Sequence, residues 1–304
     1  MLWILIAVLS YFLLAITALG DKFLLSGKPE PKNYTFFTNV PGILLILLIP
    51  FVGFTMPNSG QMLLVLATAV SAVIASFIFY TALEKFESSR VVPAVGGLLP
   101  MFVWLAPVFI FRSNIVFTPV DFIAFLILIL GTVLISAEKG KKMDIRGFAF
   151  ALPAAFLFAL MFVFTKQLFL ELPFWTVLVL TRVGVGLVAL VLLFTKEVRS
   201  EICQRNSLLQ KKTGLLFLAV QSAGLLAGFL QNIAVALVPL AYLAFINALE
   251  GTRYIFLLGM SVFISKKFPG ILREKISPSI IIQKAAAIIL IIAGLIIFTF
   301  SARN

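Results

Sequence analysis

The chain has 304 residues, 62% of them hydrophobic and 12% charged, with a formal charge of +12 at neutral pH. Soluble domains average about 45–50% apolar and about 25% charged residues, so lipid is the solvent that this composition implies. The absence of His and the single Cys, Cys203, exclude His-based metal sites, a Ser-His-Asp triad and an intrachain disulfide.

A helix needs roughly 20 apolar residues to cross the hydrocarbon core. Runs bounded by charge, Pro and Gly predict ten such spans, at 1–20, 34–54, 61–83, 91–111, 119–137, 147–165, 173–194, 214–236, 240–264 and 280–300. Connections between them are short, and the longest, from Thr195 to Thr213, is the most densely charged. The first span has no basic leader or small-residue cleavage site, and Asp21 and Lys22 follow it directly. It is therefore expected to be a retained helix.

The basic residues divide unevenly between the two faces. Loops after odd-numbered spans hold 18 of the 24, from Lys22, Lys28 and Lys32 through Lys139, Lys141 and Lys142 to Arg273 and Lys275. Lys284, at the start of the last span, is a further candidate for that face; the opposite face has only Arg112, Lys166 and Arg303, and Arg182 and Arg253 fall inside spans. Lys and Arg are retained on the cytoplasmic side, which puts both termini outside. Scattered over five short loops, the positive charge is a topology signal and no nucleic-acid surface.

An internal repeat runs through the chain. Ala15–Lys22 resembles Ala159–Lys166, Thr38-Asn39-Val40 resembles Thr181-Arg182-Val183, and Ala75–Tyr80 resembles Ala227–Asn232, at shifts of 144, 143 and 152. Leu130-Gly131 of the fifth span matches Ala293-Gly294 of the tenth. The expected architecture is all-α and polytopic, with ten transmembrane helices forming two inverted five-helix repeats, residues 1–140 and 141–304. Five spans per copy invert the second copy, as in many secondary transporters with a midplane substrate site.

Phe79-Tyr80-Thr-Ala-Leu83, Pro93-Ala-x-x-Gly-Leu-Leu-Pro100, Gln231-Asn232-x-Ala234 and Ala244-Phe-Ile-Asn-Ala-Leu-Glu250 carry a resemblance to a known family. The chain resembles the drug/metabolite transporter superfamily, EamA type, with one EamA-like unit in each half. The resemblance implies a central cavity lined by spans one to four and six to nine, with spans five and ten peripheral and available for a homodimer contact. It also implies cytoplasmic termini, against the charge bias, and the charges decide for termini outside.

Ionisable groups at membrane depth are site candidates by default. Arg182, near the middle of the seventh span, reads as a fixed cation for an anionic or zwitterionic substrate or as half of a structural ion pair. Glu250 and Arg253, three apart in the ninth span, share a face with Asn247 and Tyr254. Glu250 is the coupling candidate, binding and releasing a proton, unless it stays locked to Arg253 or Arg182. In the eighth span Gln221, Gly224, Gly228 and Gln231 form a stripe beside Asn232, matched in the third by Ala69, Ala72, Ser76 and Tyr80. The glycines read as close helix packing; Asn39, Tyr80, Gln221, Gln231 and Asn232 read as cavity lining.

Pro93, Gly96, Gly97 and Pro100 predict a broken or bent fourth helix. Lys22 and Lys166 read as snorkelling to the interface, or as gating groups, and Trp3 and Trp175 as interfacial anchors. The function these residues lead to expect is secondary-active transport of a small organic metabolite across the cytoplasmic membrane by alternating access, driven by protons or exchange. No catalytic residue, metal or cofactor is expected, and no phosphate-binding Gly-rich loop occurs. A flippase for a lipid-linked sugar or lipid head group is the alternative. An intramembrane enzyme would need more acids at depth than Glu250, and a structural or sensor protein would need no polar cavity.

Overall fold

The computed structural model describes residues 2–24, 31–86, 88–112, 118–136, 145–203, 211–267 and 278–301. The apolar runs fold as helices because hydrocarbon offers no partners for backbone N–H and C=O groups, which a helix satisfies internally. In order these are α1 (Leu2–Leu24), α2 (Pro31–Asn39), α3 (Ser59–Lys85), α4 (Ser88–Phe111), α5 (Pro119–Ser136), α6 (Ile145–Glu171) and α7 (Phe174–Ala189). The short α8 (Lys196–Cys203) precedes α9 (Lys211–Leu237), α10 (Leu243–Ala248), α11 (Gly251–Lys267) and α12 (Pro278–Ser301). Two helices tighten into 3-10 geometry: α2 continues so over Val40–Phe51, and α7 over Leu190–Phe194. No strand occurs among the described residues.

Six helical segments of the described residues are long and apolar enough to cross a membrane: 31–51, 59–82, 94–111, 147–171, 174–194 and 218–237. Their outer faces are apolar as well, with Phe51 84%, Phe109 77% and Phe194 79% exposed. Patches of this kind are unstable in water and at rest in lipid. The chain is an all-α membrane protein.

Helix starts follow local chemistry. Asn58 caps α3 by accepting from the Gln61 amide N–H at 2.9 Å, while the Gln61 side chain accepts from the Asn58 N–H at 2.9 Å. This reciprocal exchange satisfies two otherwise orphaned donors. At the start of α5, Thr118 Oγ1 donates to Asp121 Oδ2 at 2.9 Å and accepts from the Asp121 N–H at 3.1 Å.

The helices associate in pairs. α1 lies along α9, α3 along α6, α5 along α12, and α7 along the 3-10 stretch of the second helix; α4 packs on α6 and α10. Small residues set the closest approaches, as helix pairs in lipid require. A Cβ on Gly42 would sit 2.8 Å from the Arg182 carbonyl, and one on Gly186 2.5 Å from Ile43 Cγ1. A Cβ on Gly224 would meet Thr17 of α1 at 3.4 Å, which is the packing role expected of it.

The largest buried aromatics gather between α5, α10 and α12. Phe245 stacks on Phe298 with ring centroids 3.8 Å apart, and Phe125 lies 5.4 Å from Phe245. Trp3 is buried to 7% exposure edge-on to Phe298. It is thus a core residue and no interfacial anchor, because α12 covers it. Trp175 is 39% exposed and stacks on Phe229.

Of the break or bend expected in the fourth helix, the break does not occur. α4 runs unbroken through Pro93, Gly96, Gly97 and Pro100. Lipid-embedded helices tolerate Pro where neighbours cover the freed carbonyl, and the glycines serve contact with α5. A Cβ on Gly97 would lie 2.7 Å from Val133 Cγ2, and one on Gly96 3.7 Å from Thr132 Cγ2.

An interruption lies instead within the stretch expected to be the ninth span, where a turn at Leu249 and Glu250 separates α10 from α11. There the N–H groups of Glu250, Thr252 and Arg253 donate to Asn247, Leu249 and Glu250 at 3.1, 2.9 and 2.9 Å, three residues back. Hydroxyls from other helices reach carbonyls at this turn: Tyr11 Oη donates to Ile246 O at 2.8 Å, and Thr132 Oγ1 to Ala248 O at 3.0 Å. Gly251 admits this arrangement, since a Cβ there would lie 2.5 Å from Thr132 Oγ1.

Candidate functional site

A cavity of about 230 Å³ opens among α2, α3, α6, α7 and α9. Arg182 and Thr181 come from α7, Asn39 from the end of α2, and Gln231, Asn232 and Val235 from α9. Thr68, Ala72 and Ser76 line it from α3, and Met161, Phe162 and Thr165 from α6. Four predicted residues, Asn39, Arg182, Gln231 and Asn232, therefore meet in one place.

Arg182 dominates this space. Its guanidinium makes no hydrogen bond or ion pair with any described residue, so the structural ion pair is not formed among them. It rests against α9 where Gly228 leaves room, since a Cβ at Gly228 would stand 2.6 Å from Nη2 and 3.6 Å from Cζ. Gly228 thus does more than close helix packing: its missing side chain makes the slot for the arginine.

The two asparagines are oriented by their own helices. Asn39 Nδ2 donates to Thr35 O at 2.8 Å and to Thr38 Oγ1 at 3.3 Å. Asn232 Nδ2 donates to Gly228 O at 2.8 Å. Thr68 and Thr181 bond back to carbonyls one turn earlier, at 2.8 Å each.

Glu250, Arg253 and Asn247 lie outside the cavity lining and form a second polar group at the broken span. Arg253 Nη1 stands 3.5 Å from Glu250 Oε1, so Glu250 is paired with Arg253 and not with Arg182. Asn247 is 1% exposed, its Nδ2 3.4 Å from Leu243 O. Tyr11 Oη reaches this group through the backbone, donating to Ile246 O at 2.8 Å one turn before Glu250.

Two predicted lining residues sit elsewhere. Tyr80 packs edge-on to Tyr34 with centroids 4.8 Å apart and does not line the cavity. Gln221 is partly buried, three turns of α9 before Asn232, and is likewise absent from the lining. Repeat matching misplaced Tyr80 because an aromatic partner holds it. Thr68, Thr165 and Thr181 were missed, since an isolated Thr in an apolar run carries no distinctive signal.

Lys166 does not snorkel. It is 2% exposed and donates to Ala236 O at 2.9 Å, in the last turn of α9, where helix carbonyls concentrate negative potential. The side chain of Lys22 lies outside those described, as do Lys28, Lys139, Lys141, Lys142, Arg205, Arg273 and Lys275 of the basic loops. One described tie on the loop side is Lys32 Nζ to Glu197 Oε1 at 2.6 Å. The Lys32 ammonium holds the Glu197 carboxyl below its ordinary range. That tie is therefore intact at neutral pH and weakens as acid protonates the carboxylate.

These features define an all-α membrane protein with a small polar cavity between its helices. No protein-family profile and no curated protein matches the sequence. The fold itself recurs among solved structures. One described only as "Crystal structure of protein" is similar over 97% of this chain and 97% of its own, with a TM-score of 0.67 and 16% sequence identity. That degree of identity establishes the shared fold alone.

Proposed function

We propose that the chain is a secondary-active transporter of the drug/metabolite, EamA-like kind. It moves a small organic metabolite bearing an anionic group by alternating access across the cytoplasmic membrane. In this reading ten spans form two inverted five-helix halves, 1–140 and 141–304, with both termini outside. A cysteine placed at Lys141 is then expected to resist impermeant thiol reagents in intact cells.

The helix pairing supports the duplication. Exchanging the halves turns the α1–α9 pair into the α6–α3 pair, and maps the α5–α12, second–seventh and α4–α10 contacts onto themselves. Asn39 and Arg182, matched by the sequence repeat, line one cavity.

The observation that carries the function is Arg182 itself, a cation inside the bundle with no described partner. An unpaired charge at membrane depth is costly and persists where function requires it. An anionic solute supplies the missing countercharge. At about 230 Å³ the space is smaller than the roughly 300–1,000 Å³ pockets that take drug-sized ligands. That favours a small metabolite over the lipid-linked sugar of a flippase.

The direct test is a thermal-shift screen of metabolites on the purified protein, followed by uptake of the hits into proteoliposomes. A protein that binds no metabolite and moves none is not a carrier. Gly228→Ala is expected to push the guanidinium off its seat and weaken binding of the hits by about 10- to 100-fold. Equal affinity of this variant and the parent would separate the glycine from the site.

Glu250 is the proposed coupling group, a carboxylate at the helix break paired with Arg253 at 3.5 Å, a pairing that protonation would undo. Glu250→Gln is expected to flatten the pH dependence of uptake while leaving exchange of solute for solute intact. Unchanged pH dependence would remove Glu250 from the coupling. The chain is read as a carrier and not an enzyme, because Glu250 is the sole acid well inside a predicted span.

A further inference from the structure

The lining also distinguishes one kind of anion from another. Arg182 presents N–H donors that no described residue engages. Asn39 and Asn232 commit their amide N–H groups to Thr35 O and Gly228 O, each at 2.8 Å. Their Oδ1 atoms have no described partner, and an amide oxygen only accepts. The site therefore sets a cationic donor from one half beside amide acceptors from both.

Charge balance narrows the ligand further. No described acid lines the cavity, so one negative charge on the ligand neutralises Arg182 and a second would be left over. A zwitterion would place an ammonium in the same space as the guanidinium, with no carboxylate among the described lining residues to receive it. Enclosed charges without partners are disfavoured. Met161, Phe162, Val185 and Val235 supply an apolar wall for the rest of the molecule.

We infer that the cavity takes a hydroxy acid of net charge −1, its carboxylate on Arg182 and its hydroxyl donating to the amide oxygen of Asn232. The matching amino acid and the matching unsubstituted acid bind less well. This deepens the transporter reading, on which it rests for the assignment of Arg182 to a ligand.

The test uses the full chain in lipid nanodiscs and two matched sets of probes: lactate, alanine and propionate, and phenyllactate, phenylalanine and phenylpropionate. In at least one set the hydroxy acid is expected to bind about tenfold tighter than both companions, the difference one satisfied hydrogen bond makes. Asn232→Ala should erase its advantage over the unsubstituted acid while leaving acid binding in place. Asn232→Asp adds a carboxylate beside Arg182 and should turn the preference toward the amino acid, an outcome that a merely structural asparagine does not produce.

Equal binding of hydroxy and unsubstituted acids, or tightest binding of the amino acid by the parent protein, overturns the inference. So does silence from all six probes, which leaves the wider metabolite screen to decide the carrier reading. Acid binding that survives Arg182→Gln undiminished is the different failure: it removes the arginine from the site and takes the carrier reading's main support with it.

Discussion

Arg182→Gln is expected to abolish binding of anionic ligands while leaving the empty protein at least as stable as before. Removing one partner of an enclosed charge pair costs roughly 2–5 kcal/mol of binding, a loss of more than about 30-fold. The stability effect has the opposite sign. Arg182 has no described partner in the ligand-free structure, so its removal relieves the desolvation of an uncompensated cation. A gain of about 1 kcal/mol is consistent with other sites where function holds a destabilising group in place. Thermal unfolding and ligand titration of the purified variant read both quantities. Lower stability together with unimpaired binding would mark Arg182 as a structural residue.

The second large effect belongs to the aromatic core. Phe245 is fully buried, stacked on Phe298 at 3.8 Å and packed against Phe125 and Tyr242 at 5.4 and 5.9 Å. Phe245→Ala leaves a cavity that rings fixed on three helices cannot fill, and truncations of this kind cost about 3–5 kcal/mol. Phe300, on the outer face of α12 and 65% exposed, is the control, with a change expected within about 0.5 kcal/mol. The comparison is read from denaturation midpoints in mixed micelles. Similar losses at the two positions would mean that the stacked rings contribute nothing beyond their apolar surface.

The helical, apolar character was legible because lipid leaves the backbone one economical solution, and six of the described segments are long and apolar enough to cross a membrane. The asparagine–arginine match was legible for a related reason. Isolated polar groups stand out against an apolar background, and Asn39 and Arg182 do line the same cavity. The helix break was not legible. Pro and Gly mark backbone that is free to bend, but in α4 the glycines accommodate Val133 and Thr132 and the helix continues. The turn at Leu249 and Glu250 has no proline within it. It is flanked by bonds from Tyr11 and Thr132, which lie 235 and 116 residues from the Ile246 and Ala248 carbonyls they reach.

Lys166 shows the same limit. Its position at a helix end suggested an excursion to water, and only the arrangement of α6 against α9 reveals the Ala236 carbonyl that receives it. Glu250 and Arg253 were correctly placed side by side, three residues apart on neighbouring surface. Their separation from the cavity lining depends on tertiary packing, which helical spacing does not encode.

The central claim is that a hydrated space between helices carries a positive field set by Arg182. Ser76 lines that space, and Ser76→Cys in a Cys203→Ser background places a thiol there with little change in volume. The deciding measurement is the rate of its modification in intact membranes by anionic and cationic thiol reagents of equal size. Modification by both, faster for the anionic reagent and equalised by Arg182→Gln, is the predicted result. A thiol that reacts with neither reagent until the protein is denatured would contradict the account.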